Sequence, residues 1–277
     1  MLEELFKAVI LGVVEGVTEF LPISSTGHLI VTAQALNLEA SLRGTFEIFI
    51  QIGAIVAVLV FYRQELRLQM GRAFIDRSVQ FFWLGVLLAF LPAAVVGFVF
   101  SDAIDAVLFN PTVVGLALVG GGILFLSFEY FMDIPPLDAA ESPNVTPRVS
   151  LRQAFIVGLC QLLALIPGMS RSGMSILGGL MAGLSRQAAT RFSFYLAMPT
   201  LGIATLYSLV RDLDEVTAGG AQNLLLLGMG ALVSGVVAWS AIAWLLRYIA
   251  NHNFVAFAWY RIVAGGLILL LVAVGWL

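Results

Sequence analysis

The chain has 277 residues, 60% of them hydrophobic and 11% charged, with a formal net charge of −3 and a mean hydropathy of +1.00. These values lie outside the range of soluble globular domains and mark an integral membrane protein. The small net charge and the lack of a basic stripe exclude a nucleic-acid partner, and a single cysteine, Cys160, excludes an intramolecular disulfide.

The N-terminal MLEELFKAVI carries Glu3 and Glu4 where a secretory signal would be basic, so it is expected to be retained. Apolar runs of about 20 residues, the length needed to cross hydrocarbon, occur at 46–62, 79–100, 112–131, 192–210, 222–246 and 254–276 and predict six spans. Two further apolar segments, 4–37 and 151–185, are interrupted by PISSTG and PGMSRSG. A broken helix at membrane depth is tolerated only where it is buried in protein or lines a wet cavity. Both segments are therefore expected to be re-entrant helix-loop-helix hairpins, the alternative being pairs of full spans joined by a short loop. The expected fold is an all-α polytopic bundle with the lipid bilayer as its surroundings.

The hydrophilic stretches alternate in charge. YRQELRLQMGRAFIDR holds Arg63, Arg67, Arg72 and Arg77, whereas SDAIDAVLFNP holds Asp102 and Asp105 and no basic residue. The positive-inside rule puts the first in the cytoplasm and the second outside. The connector with Arg148, the mainly acidic RDLDEV at 211–216 and Arg247 continue the alternation. Pro92 and Pro199 are expected to kink their spans.

Displaced by 146 positions, Ala8, Gly12, Ser24, Gly27 and Phe46 fall on Ala154, Gly158, Ser170, Gly173 and Phe192, and Glu15 falls on Gln161. VGGGILFL at 119–126 also resembles VAGGLILL at 263–270. The chain thus reads as one transmembrane domain: repeat A over 1–131, a cytoplasmic connector over 132–150 and repeat B over 151–277. One hairpin plus three spans is an odd number, so repeat B is expected to be inverted, an architecture in which broken helices meet near the midplane.

The polar residues of the two hairpins are the candidates for chemistry. Glu15 and Glu19 share one helix face, and burying a charge at mid-membrane costs about 2.5 to 3.5 kcal/mol. Two hard oxygen ligands suit a divalent cation completed by substrate phosphate oxygens. After Pro22, the hydroxyls of Ser24, Ser25 and Thr26 and the backbone at Gly27 stand at a helix start, where unpaired amides attract anions. His28, three residues after Ser25, suits proton transfer. In PGMSRSG, Arg171 offers a fixed fork of donors for phosphate, flanked by Ser170, Ser172 and Gly173. Together these residues read as a composite phosphate-handling site. A transporter or flippase of a phosphorylated lipid or anion is the competing class, since broken helices with anion-binding tips also serve transport.

EGVTEFLPISSTGH (15–28) and PGMSRSG (167–173) closely resemble the two signature motifs of the undecaprenyl-diphosphate phosphatase family of the bacitracin-resistance (BacA/UppP) type. FEIFIQIGAI (46–55), FSFYLAMPT (192–200) and the hydropathy profile extend the resemblance over essentially the whole chain. It implies a bacterial inner-membrane enzyme that removes one phosphate from a long-chain polyprenyl diphosphate for cell-wall synthesis, with its active site on the outer side and a divalent cation, Mg²⁺ or Ca²⁺, required. The resemblance carries the family's glutamates onto Glu15 and Glu19, its serine and histidine onto Ser25 and His28, and its arginine and preceding serine onto Arg171 and Ser170. The expected reaction has Ser25 attack the terminal phosphorus while His28 takes its proton; His28 or a water as the nucleophile stays open. A homodimer is a candidate assembly.

Overall fold

The computed structural model describes residues 2–37, 40–132, 146–211 and 220–277. Among them every regular element is a helix. The first half of the chain comprises α1 (Leu2–Thr18), α2 (Ser25–Ala35), α3 (Ala40–Phe61), α4 (Arg63–Arg72), α5 (Arg77–Leu108) and α6 (Pro111–Phe131). The second half comprises α7 (Leu151–Gln161), a 3₁₀ turn (Leu162–Leu165), α8 (Arg171–Met181), α9 (Arg186–Arg211), α10 (Gly220–Ile249) and α11 (Val255–Ala273). Local chemistry sets several of these starts. Asp76 and Asn110 accept from the backbone at the beginnings of α5 and α6, Pro111 opens α6 where an N–H would be unpaired, and Ser150 with Gln153 forms a capping box on α7.

Five helices, within α5, α6, α9, α10 and α11, are each long and apolar enough to cross a membrane. A sixth is reached only if the apolar part of α3 and the polar α4, bent 66° from each other, count as one. Large apolar side chains on the outer faces, such as Leu84, Leu87, Leu91, Val95 and Phe98 on α5, are exposed at helical spacing. Such stripes suit lipid and not water. In contrast α2, α7 and α8 have 11 residues each, a rise of about 16 Å, half of the roughly 30 Å hydrocarbon layer.

Three local expectations differ from the structure. Residues 63–72, taken as loop, form α4. The stretch after residue 100 continues as helix to Leu108, because no breaker intervenes before Asn110. The irregular residue inside α5 is Phe100, not Pro92, whose ring the helix accommodates.

The contacts repeat under exchange of the two halves. α10 packs on α1 and α3, and α5 packs on α7 and α9; α6 and α11 pack on each other. Small residues allow the close approaches. A Cβ on Gly12 would lie 2.6 Å from the Gly230 carbonyl of α10, and one on Gly158, 146 positions later, would lie 2.7 Å from the Ala89 carbonyl of α5. At Gly53 a Cβ would collide with the Ala231 carbonyl of α10. Backbone cannot yield there as a side chain can, so Gly53→Val should destabilise the protein by about 1–3 kcal/mol, read as an earlier thermal unfolding transition in detergent.

Candidate active site

The two helix breaks meet in the interior. In the first, Glu19 N still reaches the Glu15 carbonyl at 2.9 Å, but Pro22 has no N–H to continue a ladder and Ile23 N turns back to the Leu21 carbonyl at 2.8 Å. The chain then passes through Ser24 at φ 71, ψ 103 and enters α2. In the second break, Gly168 has φ 98 and Ser170 stands at φ 70, ψ 117 before α8. Ser24 and Ser170 are the pair related by 146 positions, and both hold a positive φ that L-residues avoid. Such a conformation costs about 1–3 kcal/mol and persists where the surroundings over-determine it.

The breaks are tied to each other. Ser172 Oγ donates to the Leu21 carbonyl at 2.9 Å, and Arg171 Nη2 donates to Glu19 Oε1 at 3.1 Å. Arg171 Nη1 donates to the Ser193 carbonyl of α9 at 3.1 Å, and its guanidinium carbon lies 5.6 Å from the centre of the Phe20 ring. Phe20 is fully buried and packs edge-on against Phe194 of α9. Both charges of the Arg171–Glu19 pair are largely shielded from solvent. The other oxygen of Glu19, Oε2, accepts from Ser25 Oγ at 2.7 Å. A continuous chain thus runs from the Ser25 hydroxyl through a carboxylate to a guanidinium whose Nε is buried without an acceptor.

A cavity of about 110 Å³ opens at this chain. Glu19, Ser24, Ser25 and Thr26 line it from the first break and Pro167, Gly168, Ser170 and Arg171 from the second, with Gln51 of α3, Ala164 and Leu201 of α9 completing the wall. Gln51 also accepts from Thr205 of α9 at 2.8 Å.

The remaining candidates lie elsewhere. Glu15 sits one helical turn behind Glu19, outside the cavity wall, with Oε2 buried and unpaired. His28 does not face Ser25: Nδ1 bonds the Ser24 carbonyl at 2.7 Å, Nε2 bonds the Tyr260 hydroxyl of α11 at 2.6 Å, and the two rings stack. In this arrangement Glu19 and not His28 accepts from the Ser25 hydroxyl, and both ring nitrogens of His28 are engaged with other partners. Gly27, Ser172 and Gly173 do not line the cavity either. Gly27 makes room for Leu118 of α6, and Gly173 gives its N–H to Ser170 Oγ at 3.0 Å. Ser170 therefore caps α8, whereas Ser24 makes no side-chain cap on α2.

For a divalent cation, Glu15 offers the unpaired carboxylate oxygen, while both oxygens of Glu19 are engaged. Among the described residues no three His, Cys, Asp or Glu side chains form a ready cage. A donor set of one or two carboxylates fits Mg²⁺, which keeps waters and takes substrate phosphate oxygens.

Sequence reasoning missed Arg261. It lies on α11, is fully buried, and donates to carbonyls of both breaks. A lone arginine inside the apolar run 254–276 was the available signal. Also missed was the cluster in which Glu65 of α4 accepts from Arg191 and Tyr195 of α9.

The fold and cavity define a multi-pass helical membrane protein with a polar cavity between two broken helices. The family model described as "Bacitracin resistance protein BacA" matches residues 8–267, and the chain belongs to that family. It is 47% identical to undecaprenyl-diphosphatase 1 of Chromobacterium violaceum over 96% of this chain and 95% of that protein. It is 46% identical to the undecaprenyl-diphosphatase of Deinococcus deserti over 97% and 95%, and 48% identical to that of Polaromonas naphthalenivorans over 96% and 94%.

The strained serines separate two effects. In Ser24→Gly the relief of strain outweighs glycine's entropic cost, and no cap is lost, so stability should rise by about 1 kcal/mol. In Ser170→Gly the lost cap, worth about 1 kcal/mol, should cancel that gain. Thermal unfolding of the two variants in parallel checks the difference.

Proposed function

We propose that the protein hydrolyses a long-chain polyprenyl diphosphate, as the names of its relatives indicate, to the lipid monophosphate and inorganic phosphate, returning the carrier lipid to cell-wall synthesis. One observation carries the assignment of roles: Ser25, Glu19 and Arg171 form a single hydrogen-bonded chain along the wall of one buried cavity. The diphosphate enters this cavity against Arg171, whose unclaimed Nε–H aims a donor at a phosphate oxygen. Ser25 Oγ attacks the terminal phosphorus and passes its proton to Glu19 Oε2, the P–O bond to the lipid phosphate breaks, and the lipid monophosphate leaves. The departing lipid phosphate takes that proton from Glu19; water then attacks the phosphoserine, giving its proton to the freed carboxylate, which returns it to Ser25 Oγ as inorganic phosphate leaves. Fixed donors around the spreading negative charge supply most of the acceleration in such transfers.

A divalent cation bound through the unpaired oxygen of Glu15 would neutralise phosphate charge, and Glu19 would join as a second ligand only by giving up its bond to Arg171. His28 acts at a distance from the reaction, anchoring the Ser24 carbonyl and so the backbone that aims Ser25. The half-length helices α2, α7 and α8 support re-entrant hairpins, and the exchange-related contacts support an inverted repeat. The basic residues Arg63, Arg67, Arg72 and Arg77 support a bacterial cytoplasmic membrane orientation with α4 inside and the cavity open to the outer side.

Phosphate release from a long-chain prenyl diphosphate in detergent tests the activity. Wild-type protein should release phosphate with Mg²⁺ or Ca²⁺ and stop on chelation. Arg171→Ala should be slower by about 10²–10³-fold, and rapid quench should trap phosphate on Ser25. No release by wild type, or equal rates for Arg171→Ala, would overturn the reading. For orientation, a cysteine replacing Arg67 in a Cys160→Ala background should resist a membrane-impermeant maleimide in intact cells; ready labelling would reverse the topology.

A further inference from the structure

Arg261 is the largest fully buried side chain among the described residues. Burying a guanidinium in a membrane-spanning helix is costly unless its charge and donors are met. Among the described residues no carboxylate lies within ion-pair distance of it. Its partners are carbonyls: Nη1 donates to Pro22 at 3.1 Å, Nη2 to Gly168 at 3.1 Å and to Ala117 at 3.4 Å, and Nε to Leu118 at 3.4 Å. Pro22 and Gly168 are themselves 146 positions apart, so one side chain holds equivalent carbonyls of the two breaks. The other two carbonyls belong to α6, whose Gly121 leaves the space that the guanidinium fills.

We infer that Arg261 is a positioning residue for the phosphatase reaction, the clamp that fixes the first break against the second and so sets Ser25 on one side of the cavity relative to Arg171 on the other. The inference rests on the function proposed above. Carbonyls at a helix break have no helical donor, and away from water they need one. Only a planar fork reaches several at once. Because the fork is a single rigid plane, meeting the Pro22 and Gly168 carbonyls together also fixes their separation. The unpaired positive charge adds attraction for the polyanion that the cavity takes, but Arg261 does not line the cavity and does not touch substrate there. Lysine would keep the charge and lose the fork.

Arg261→Lys and Gly121→Ala make the test, the second because a Cβ there collides with the guanidinium while every cavity residue is kept. Rates are measured per monodisperse full-length protein in detergent with a long-chain prenyl diphosphate and Mg²⁺. In each variant kcat should fall by about 10²-fold while KM stays within about threefold, the signature of misplaced reacting groups with binding retained. The double variant should be no slower than the worse single one, since the slimmer lysine no longer meets the added methyl. Independently of turnover, spin labels on cysteines at the exposed positions Val17 and Leu163, in a Cys160→Ala background, should give a broader distance distribution in both variants than in the parent. Wild-type kcat in the folded variants, multiplicative losses in the double, or an unchanged distance distribution would overturn the inference. If Arg261→Lys does not fold, Gly121→Ala decides alone. A wild-type protein that releases no phosphate sinks the phosphatase reading instead, and the distance measurement still judges the clamp.

Discussion

A helix that stops inside a packed interior leaves backbone carbonyls and amides with no water to turn to, and this chain breaks two helices there. Each orphaned group must find a donor or acceptor within the protein. Much of the interior can be understood as the answer to that demand. Arg261 takes the Pro22 and Gly168 carbonyls, Ser172 takes that of Leu21, and Ser170 accepts from the first turn of α8. The bonds of Arg261 and Ser172 join one break to the other as well as satisfying carbonyls, so pairing the backbone and assembling the cavity are one act. The positive φ at Ser24 and Ser170 is the conformational cost of turning the chain inside this crowded space.

Charge is distributed with the same economy. The Glu19 carboxylate accepts from the Ser25 hydroxyl with one oxygen and from the Arg171 guanidinium with the other, which keeps the two side chains at fixed separation. Such preorganisation matters more in a low-dielectric interior than in water, because the groups need not reorient as charge develops. Away from the cavity, buried ion pairs fasten the helix ends. Glu129 of α6 binds Arg186 of α9 and the backbone at the start of α11, and Glu65 binds Arg191 and Tyr195. Breaking such a pair leaves an uncompensated buried charge, so these contacts favour one arrangement of helices over others.

Much of the site was legible in the sequence because the anomalies were local. Two carboxylates four residues apart, a proline followed by three hydroxyls, and an arginine between serines each violate what lipid tolerates, and each violation is visible without a fold. The family motifs around these residues extended that reading to an activity. For His28, spacing from Ser25 predicts proximity on a helix but not which way a ring turns; in the structure the ring turns to Tyr260, 232 positions away. The glycines of both motifs carry the same ambiguity, since a glycine that admits a ligand and one that admits a neighbouring helix look alike in sequence. Arg261 was passed over because its partners are carbonyls on three distant segments, and a carbonyl has no sequence signature.

Composition and periodicity by themselves determined that the chain is helical, that it lives in a bilayer and where its helices break. These properties follow from each residue's own preference for lipid, water or helical backbone. Only the tertiary structure decided which carboxylate accepts a hydrogen bond from Ser25, which hydroxyls face the cavity and which arginine bonds carbonyls of both breaks. Those choices depend on side-chain direction and on distances between segments far apart in the chain, and packing sets them.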